Sequence, residues 1–409
     1  MKSKYIKSLD MICRPLCLYL ILLGLTACSA TRAQTNDTSV EATVDSALAF
    51  AEKQSLLLAK KYEKQHDQLP RTFQQDKDIS SDSRWWCSGF FPGVLWLLYE
   101  AHPSAELLAY AKRYTQRVER EQYTTDNHDV GFMIFCSFGN GYRLTKDPHY
   151  RSVILTAAKS LSTRYDPAVG LIRSWDHNRE QWQYPVIIDN IMNLELLLWA
   201  ANQSEDSTYS AMVRSHADRT MQHHFRSDYS SYHVVSYDTL SALPHHKQTH
   251  QGFSDESSWS RGQAWGLYGY TYLYRETKDR RYLQQAQHIA DYLLDHPHMP
   301  EDGIPYWDYD SPDIPNTPRD ASAASIMASA LVELSDFVDG ELSHKYRDFA
   351  KLQITTLASP RYTAKLGENG GFILKHSVGA YPLHSEIDVP LTYADYYYVE
   401  ALNKLKKKR

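Results

Sequence analysis

The chain has 409 residues, a formal net charge of −5 and 43% hydrophobic residues. That length suits one large globular body, and the mildly acidic balance offers no basic surface for nucleic acid. Of the five cysteines, Cys13, Cys17 and Cys28 sit near the start, so Cys87 and Cys136 alone exclude a disulfide framework and a cysteine metal cluster. These two are expected as buried small hydrophobes, pairing only if they meet in an oxidising compartment.

The N-terminus carries Lys2, Lys4, Lys7 and Arg14 ahead of an uncharged apolar run over 15–27. That is the layout of an export signal, and it falls short of the roughly 20 residues needed to span a bilayer. The run ends in Leu25-Thr26-Ala27-Cys28, which resembles a bacterial lipobox. Residues 1–27 are therefore expected to be a lipoprotein signal peptide, with Cys28 the lipidated first residue of an exported protein in the periplasm or outer membrane. An ordinary signal cut nearby is the alternative. The Ser-, Thr- and Ala-rich stretch 28–43 reads as a flexible tether, and 44–409 as a single catalytic domain.

Apolar spacing at i, i+3 and i+4, with the breakers between segments, predicts helix after helix and little strand. The segments are 43–66, 85–101, 104–122, 128–145, 148–164, 185–202, 207–224, 259–276, 279–296, 320–338, 342–358 and 391–406. Every second one is apolar on most faces, as in Trp265-Gly266-Leu267-Tyr268-Gly269, and belongs inside. The others are amphipathic and belong outside. Tyr209, Tyr282 and Tyr346 each open an outer helix, a weak repeat one hairpin long. The fold expected is all-α, an (α/α)6 barrel of six helical hairpins, with a helical solenoid as runner-up. Gly139-Asn140-Gly141 inside a helix reads as tight packing. The long polar connections 225–258, 297–319 and 359–390 each precede an inner helix, so they should wall a cleft at one mouth.

Two acids open consecutive inner helices, in His128-Asp129-Val130-Gly131-Phe132 and Ile187-Ile188-Asp189-Asn190-Ile191. Both carboxylates would face one mouth, the pair that glycoside chemistry requires, one protonated and one ionised. A first-turn Asp more often only caps its helix. Here the apolar neighbours of Asp189 would desolvate it and raise its pKa. Arg261 and Trp265, four apart in Trp259-Ser260-Arg261-Gly262-Gln263-Ala264-Trp265, offer a fork for a carboxylate and a ring for stacking. The plainer reading buries Trp265 in the core and pairs Arg261 with Asp255 or Glu256. The tandem pairs His223-His224 and His245-His246 lack metal-ligand spacing and read as solvated. No metal, cofactor, phosphate loop or nucleophile elbow is implied.

With those residues in view, the chain resembles the unsaturated glucuronyl hydrolases of glycoside hydrolase family 88. The resemblance rests on Ser88-Gly89-Phe90-Phe91-Pro92-Gly93, the two Asp motifs, Ser137-Phe138-Gly139-Asn140-Gly141-Tyr142, the Arg261 block and Ser385-Glu386-Ile387-Asp388-Val389-Pro390. It implies an (α/α)6 barrel without cofactor, acting on oligosaccharides left by polysaccharide lyases, whose non-reducing end is a 4,5-unsaturated glucuronate. One Asp protonates C4 of the enol ether and helps water add at C5, and the hemiketal opens and releases the neighbouring sugar. The resemblance makes Asp189 that acid and base and Asp129 its partner. It places Arg261 and Gln251 at the uronate carboxylate and ring substituents, Trp86, Trp259 and Trp265 as stacking walls, and His233 and His250 near the reacting end, with Thr249 beside them a further substrate-binding candidate. Members that accept sulfated disaccharides carry Ser-x-x-Ser-x-Lys in the loop that here reads Gly379-Ala380-Tyr381-Pro382-Leu383-His384, so sulfate recognition by that pattern is not implied. An unsaturated galacturonyl hydrolase, a polysaccharide lyase using His233 or His250, and a non-catalytic sugar-binding lipoprotein stay open. Neither the oligomeric state nor the preferred glycosaminoglycan follows.

Overall fold

The computed structural model describes residues 40–204 and 206–408. The expected signal peptide, Cys28 and most of the tether lie outside the described residues. The tether expectation fails over 40–43, which belong to the first helix, because Val40 and Val44 give that turn an apolar side against the core. Among the described residues no helix is long and apolar enough to cross a membrane.

Among the described residues twelve α-helices follow in order: α1 (40–61), α2 (Phe90–Ala101), α3 (Ala105–Arg117), α4 (Asn140–Thr145), α5 (Pro148–Ser162), α6 (Asn190–Ser204), α7 (Ser207–His223), α8 (Ser260–Thr277), α9 (Arg280–Leu294), α10 (Ala321–Leu334), α11 (Gly340–Leu357) and α12 (Thr392–Lys406). A π-helical turn, Gly131–Gly139, runs directly into α4. The inner helices pack in sequence order, with the π-helical turn Gly131–Gly139 standing between α2 and α6, and α12 returns to α2 to close the ring. The odd-numbered helices lie outside it. The chain is thus the single-domain barrel of helical hairpins that its alternating patterning predicts.

The tyrosine repeat has a physical meaning in this ring. Tyr282 of α9 donates to Asp218 of α7 at 2.9 Å, and Tyr346 of α11 donates to Asp291 of α9 at 3.5 Å, each tying one outer helix to the outer helix before it. Most of the aromatic richness is core, as Trp96, Trp182, Trp265 and Trp307 are fully buried.

Outer helices α3, α5, α7 and α9 open on Ser104, Asp147, Asp206 and Asp279, whose side chains accept first-turn N–H groups. Inner helices α2, α8 and α12 open on Gly89, Trp259 and Leu391 without such a cap, whereas inner α10 opens on Asp320, which accepts the Ser322 N–H at 2.9 Å.

Short antiparallel strands decorate the connections that enter inner helices: β1 (Leu69–Gln74) with β2 (Lys77–Ser81), β3 (Tyr165–Asp166) with β4 (Leu171–Ile172), β5 (Pro185–Ile187) with β6 (Val234–Tyr237) and β7 (Pro244–Gln248), and β8 (Ser377–Ala380) with β9 (Ser385–Val389). The helix expected from 185 starts only at Asn190, because Val186 and Ile187, stiff β-branched residues, pair with Val235 and Val234. The helix expected from 85 starts at Phe90.

Candidate active site

The loops and hairpins at the N-terminal ends of the inner helices enclose a cleft of about 530 Å³ whose lining includes Trp86, Asp129, Asp189, His250, Gln251 and Arg261. A cavity of about 550 Å³ opens at the other end of the barrel. Its charges are already matched, Glu100 to Arg143 and Lys407, Glu195 to Arg275, and Glu400 to Lys404, so the chemistry belongs to the mouth.

The two acids meet through a close approach of neighbouring inner helices. Gly131, two residues after Asp129, lies on Asn193 of α6: a Cβ at Gly131 would stand 2.6 Å from Asn193 Oδ1 and 2.7 Å from its Cα. Asn193 Oδ1 in turn accepts the Phe132 N–H at 2.8 Å. Asp129 is fixed from above by its own N–H, which donates to Asn127 Oδ1 at 2.9 Å.

Burial pushes the Asp189 carboxyl up to about 7; the Arg261 guanidinium opposes this and the Asp129 carboxylate reinforces it. Burial likewise pushes Asp129 up to about 7, against the pull of Arg164. Two neighbouring carboxyls in that range hold a single proton between them near neutrality. Asp189 is the drier, its side chain 9% exposed against 19% for Asp129.

His233 stands beside Asp189. Its Nδ1 accepts the backbone N–H groups of His250 and Gln251, both at 3.1 Å. Burial holds the ring neutral, so its one proton sits on Nε2. Nε2 faces Asp189 Oδ2 at 3.8 Å, and neither atom has another partner.

Arg261 reaches the mouth from the first turn of α8. Its Nη2 donates to Gln251 Oε1 and to the Gly379 carbonyl, both at 2.6 Å, and its Nη1 bonds the Val378 carbonyl and pairs with Asp320 at 3.4 Å. Its acidic partner is Asp320, not Asp255 or Glu256: Asp255 accepts the Thr249 N–H, and Glu256 pairs with Arg226. Gln251 and His250 line the cleft as expected.

Two expected stacking walls, Trp265 and Trp259, and the expected site residues Thr249 and His233 are not among the residues that line the cleft. Trp265 is fully buried beside Phe132 and Tyr397, because one helical turn below Arg261 lies about 5 Å deeper along the barrel axis. Among the described residues its indole Nε1 has no hydrogen-bond partner. Trp259 sits behind the surface, 4.4 Å from both the His233 ring and the Arg261 guanidinium. Thr249 shapes its loop, its Oγ1 accepting the Gly252 N–H at 2.8 Å. Elsewhere His224, read from sequence as solvated, is buried with Nε2 3.0 Å from the Val186 carbonyl.

Sequence reasoning missed Trp175 and His177, whose stacked rings lie 5.2 Å apart and line the cleft, and Trp85, Tyr393 and Glu386. The signal for Trp175 and His177 was available: they sit in the 165–189 connection, which enters an inner helix like the other mouth loops.

A barrel of helical hairpins with a buried, proton-sharing carboxyl pair in an aromatic cleft defines a carbohydrate-cleaving enzyme. The chain belongs to Glycosyl Hydrolase Family 88, whose model matches residues 58–408. It is 46% identical over 79% of its length to the unsaturated glucuronyl hydrolase of Formosa agariphila, covering 80% of that protein. It is 32% identical over 80% of its length to the unsaturated chondroitin disaccharide hydrolase of Streptococcus pyogenes, covering 82% of it. Among solved structures, an unsaturated glucuronyl hydrolase specific for heparin superposes with a TM-score of 0.86 at 47% identity, over 91% of this chain and 98% of that one.

Proposed function

We propose that this enzyme hydrates the 4,5 double bond of an unsaturated glucuronyl residue at the non-reducing end of a lyase-generated glycosaminoglycan oligosaccharide. The observation that carries the reading is the Asp189–Asp129 pair, raised by burial to about 7 and so able to hold a proton for donation at neutral pH. The relatives named for unsaturated uronyl substrates support the substrate class.

Asp189 gives its proton to C4, and positive charge develops between C5 and the ring oxygen. Its carboxylate, with Asp129, then takes a proton from the water that adds at C5. The C5 hemiketal opens to a ketone, and the hemiacetal exposed at C1 collapses to an aldehyde and expels the neighbouring sugar. The His233 ring stands behind the acid, its Nε2 3.8 Å from Asp189 Oδ2. Arg261 and Gln251 face the uronate carboxylate, and Trp86 offers its ring to the sugar; Trp259 and Trp265 act from behind as supports. The resemblance of 1–28 to an exported, lipidated leader supports a periplasmic or outer-membrane enzyme anchored through Cys28.

Turnover in deuterium oxide separates this chemistry from ordinary glycosidic cleavage. Hydration places deuterium at C4 of the released keto acid, read by proton NMR. Release of an intact unsaturated uronate with hydrogen retained at C4 would sink the mechanism.

A further inference from the structure

Each acid of the pair has its own arginine. Arg261 acts on Asp189, and Arg164, just past the end of outer helix α5, acts on Asp129. The chemistry described so far makes no use of Arg164. It is nevertheless only 8% exposed, and its guanidinium joins two other stretches of chain. Nε donates to the Arg173 carbonyl at 2.8 Å, and Nη1 donates to the Thr125 carbonyl at 2.6 Å and to Asp176 Oδ2 at 2.8 Å.

Those stretches set where the acids stand. Thr125 opens the run to Asp129, and this run is held against residues 172–176: the His128 N–H donates to the Ser174 carbonyl at 3.0 Å, and Asn127 pairs with Trp175. The same residues also hold the segment that carries Asp189. The Ser174 N–H donates to the Pro185 carbonyl at 2.8 Å, Ser174 Oγ accepts the Ile187 N–H at 3.0 Å, and Asn190 Nδ2 donates to the Ile172 carbonyl at 2.7 Å. Stretch 172–176 thus bridges the two acid-bearing segments, and Arg164 clasps it to the Asp129 side.

Asp176 does not cancel the charge of Arg164. One carboxylate is shared by Arg164, Arg173 and Arg179, at 2.8, 3.0 and 3.4 Å, so the cluster stays positive. Asp166, in the same recess, accepts the Ala168 and Val169 N–H groups instead. The other groups around Asp129 supply no rival charge. His128, whose Nε2 lies 3.5 Å from Asp129 Oδ1, is held neutral by burial, at about 3. Burial also pushes the Cys87 thiol and the Tyr393 hydroxyl up and lowers His250, so all three are neutral at pH 7. Glu386 is paired with Arg71.

We propose that Arg164 is the positioning residue of the carboxyl pair: its fork fixes the Asp129 segment against the stretch that holds the Asp189 segment, and its charge keeps Asp129 the ionised member, leaving the proton on Asp189. The proposal rests on the hydrolase reading above and deepens it by assigning the two roles within the pair.

The test is the pH profile of kcat/KM on an unsaturated disaccharide for wild type, Arg164→Met, Arg164→Lys and Asp176→Asn. The acid limb reports ionisation of Asp129, and the alkaline limb reports loss of the proton from Asp189. Arg164→Met, which removes the cation, moves the acid limb to higher pH by about half a unit or more and leaves the alkaline limb in place. Asp176→Asn, which removes the carboxylate that offsets the cation, moves the acid limb to lower pH. Arg164→Lys keeps the charge and loses the fork, so both limbs hold while kcat falls about tenfold or more with KM little changed. An acid limb unmoved in Arg164→Met or in Asp176→Asn, whatever the loss of rate, makes Arg164 a merely structural arginine and overturns the proposal, as does a full-rate Arg164→Lys. Asp176→Asn decides the matter should Arg164→Met fail to fold. The same ionisation is read without substrate, as the pH at which the difference in melting temperature between each protein and its own Asp129→Asn variant levels off. An inactive wild type would be a failure of the hydrolase reading, and those melts would still decide the assignment of charge.

Discussion

Asp189→Asn should make the protein inactive and, above neutral pH, more stable. The unfolded chain releases the Asp189 proton near its ordinary 3.8, whereas the folded protein holds it to about 7. Below pH 4 both states are protonated and the residue contributes nothing. As pH rises from there the unfolded state ionises first, so wild-type stability falls until the folded carboxyl also ionises near 7. That displacement is worth on the order of 4 kcal/mol for a side chain this dry. An amide carries no such penalty and nearly keeps the shape. Thermal melts of the two proteins should therefore coincide near pH 4 and diverge steadily to pH 8, with the variant melting several degrees higher. Because Asp395, also raised to about 7 by burial, is common to both, the difference isolates the active-site acid. Melts that stay parallel over this range, or a variant that melts lower at pH 8, would refute the claim that burial raises Asp189.

Asp129→Asn removes the like charge that helps hold Asp189 up, so the alkaline limb of the kcat/KM profile should move to lower pH; an unmoved limb would separate the two groups. Arg261→Ala should raise KM and also lower the melting temperature, by about 3–5 kcal/mol of stability, because it leaves Asp320 buried without its cation; a KM change with no melting change would mean that the guanidinium is free for substrate. Gly131→Ala should cost about 1–3 kcal/mol by pushing on Asn193, and should lower kcat more than it raises KM as the carboxyls separate; normal kcat would mean that their spacing is not set there. Cys28→Ser should abolish incorporation of labelled fatty acid during growth, and persistent labelling would move the anchor elsewhere.

Much of this barrel was legible in sequence because the inner helices are wrapped on all sides and the outer ones on one, a contrast that periodicity reports directly. The acids were legible because Asp129 and Asp189 stand where consecutive inner helices begin, Asp189 within an apolar run. Depth was harder to read. Arg261 and Trp265 share a face in projection, yet a turn of axial rise takes the indole out of the cleft and into the core. The π-helical turn Gly131–Gly139 also escaped a reading tuned to a 3.6-residue period; in it, Ser137 Oγ bonds back to the Met133 and Ile134 carbonyls. The short strands of the mouth, β5 above all, look like helix continuations until their pairing partners arrive from far along the chain. Glu386 was written in a motif of the resemblance, but its place at the mouth beside Arg71 and Gly379 needed the fold.

The central claim is that the buried carboxyl pair consumes a 4,5-unsaturated uronate. The most direct measurement is the ultraviolet absorbance of that conjugated group when purified protein meets a lyase-generated, unsulfated disaccharide. The account predicts that the absorbance falls with turnover and that Asp189→Asn abolishes the fall. Constant absorbance with the wild type, or a rise on intact polysaccharide as new double bonds form, would contradict it.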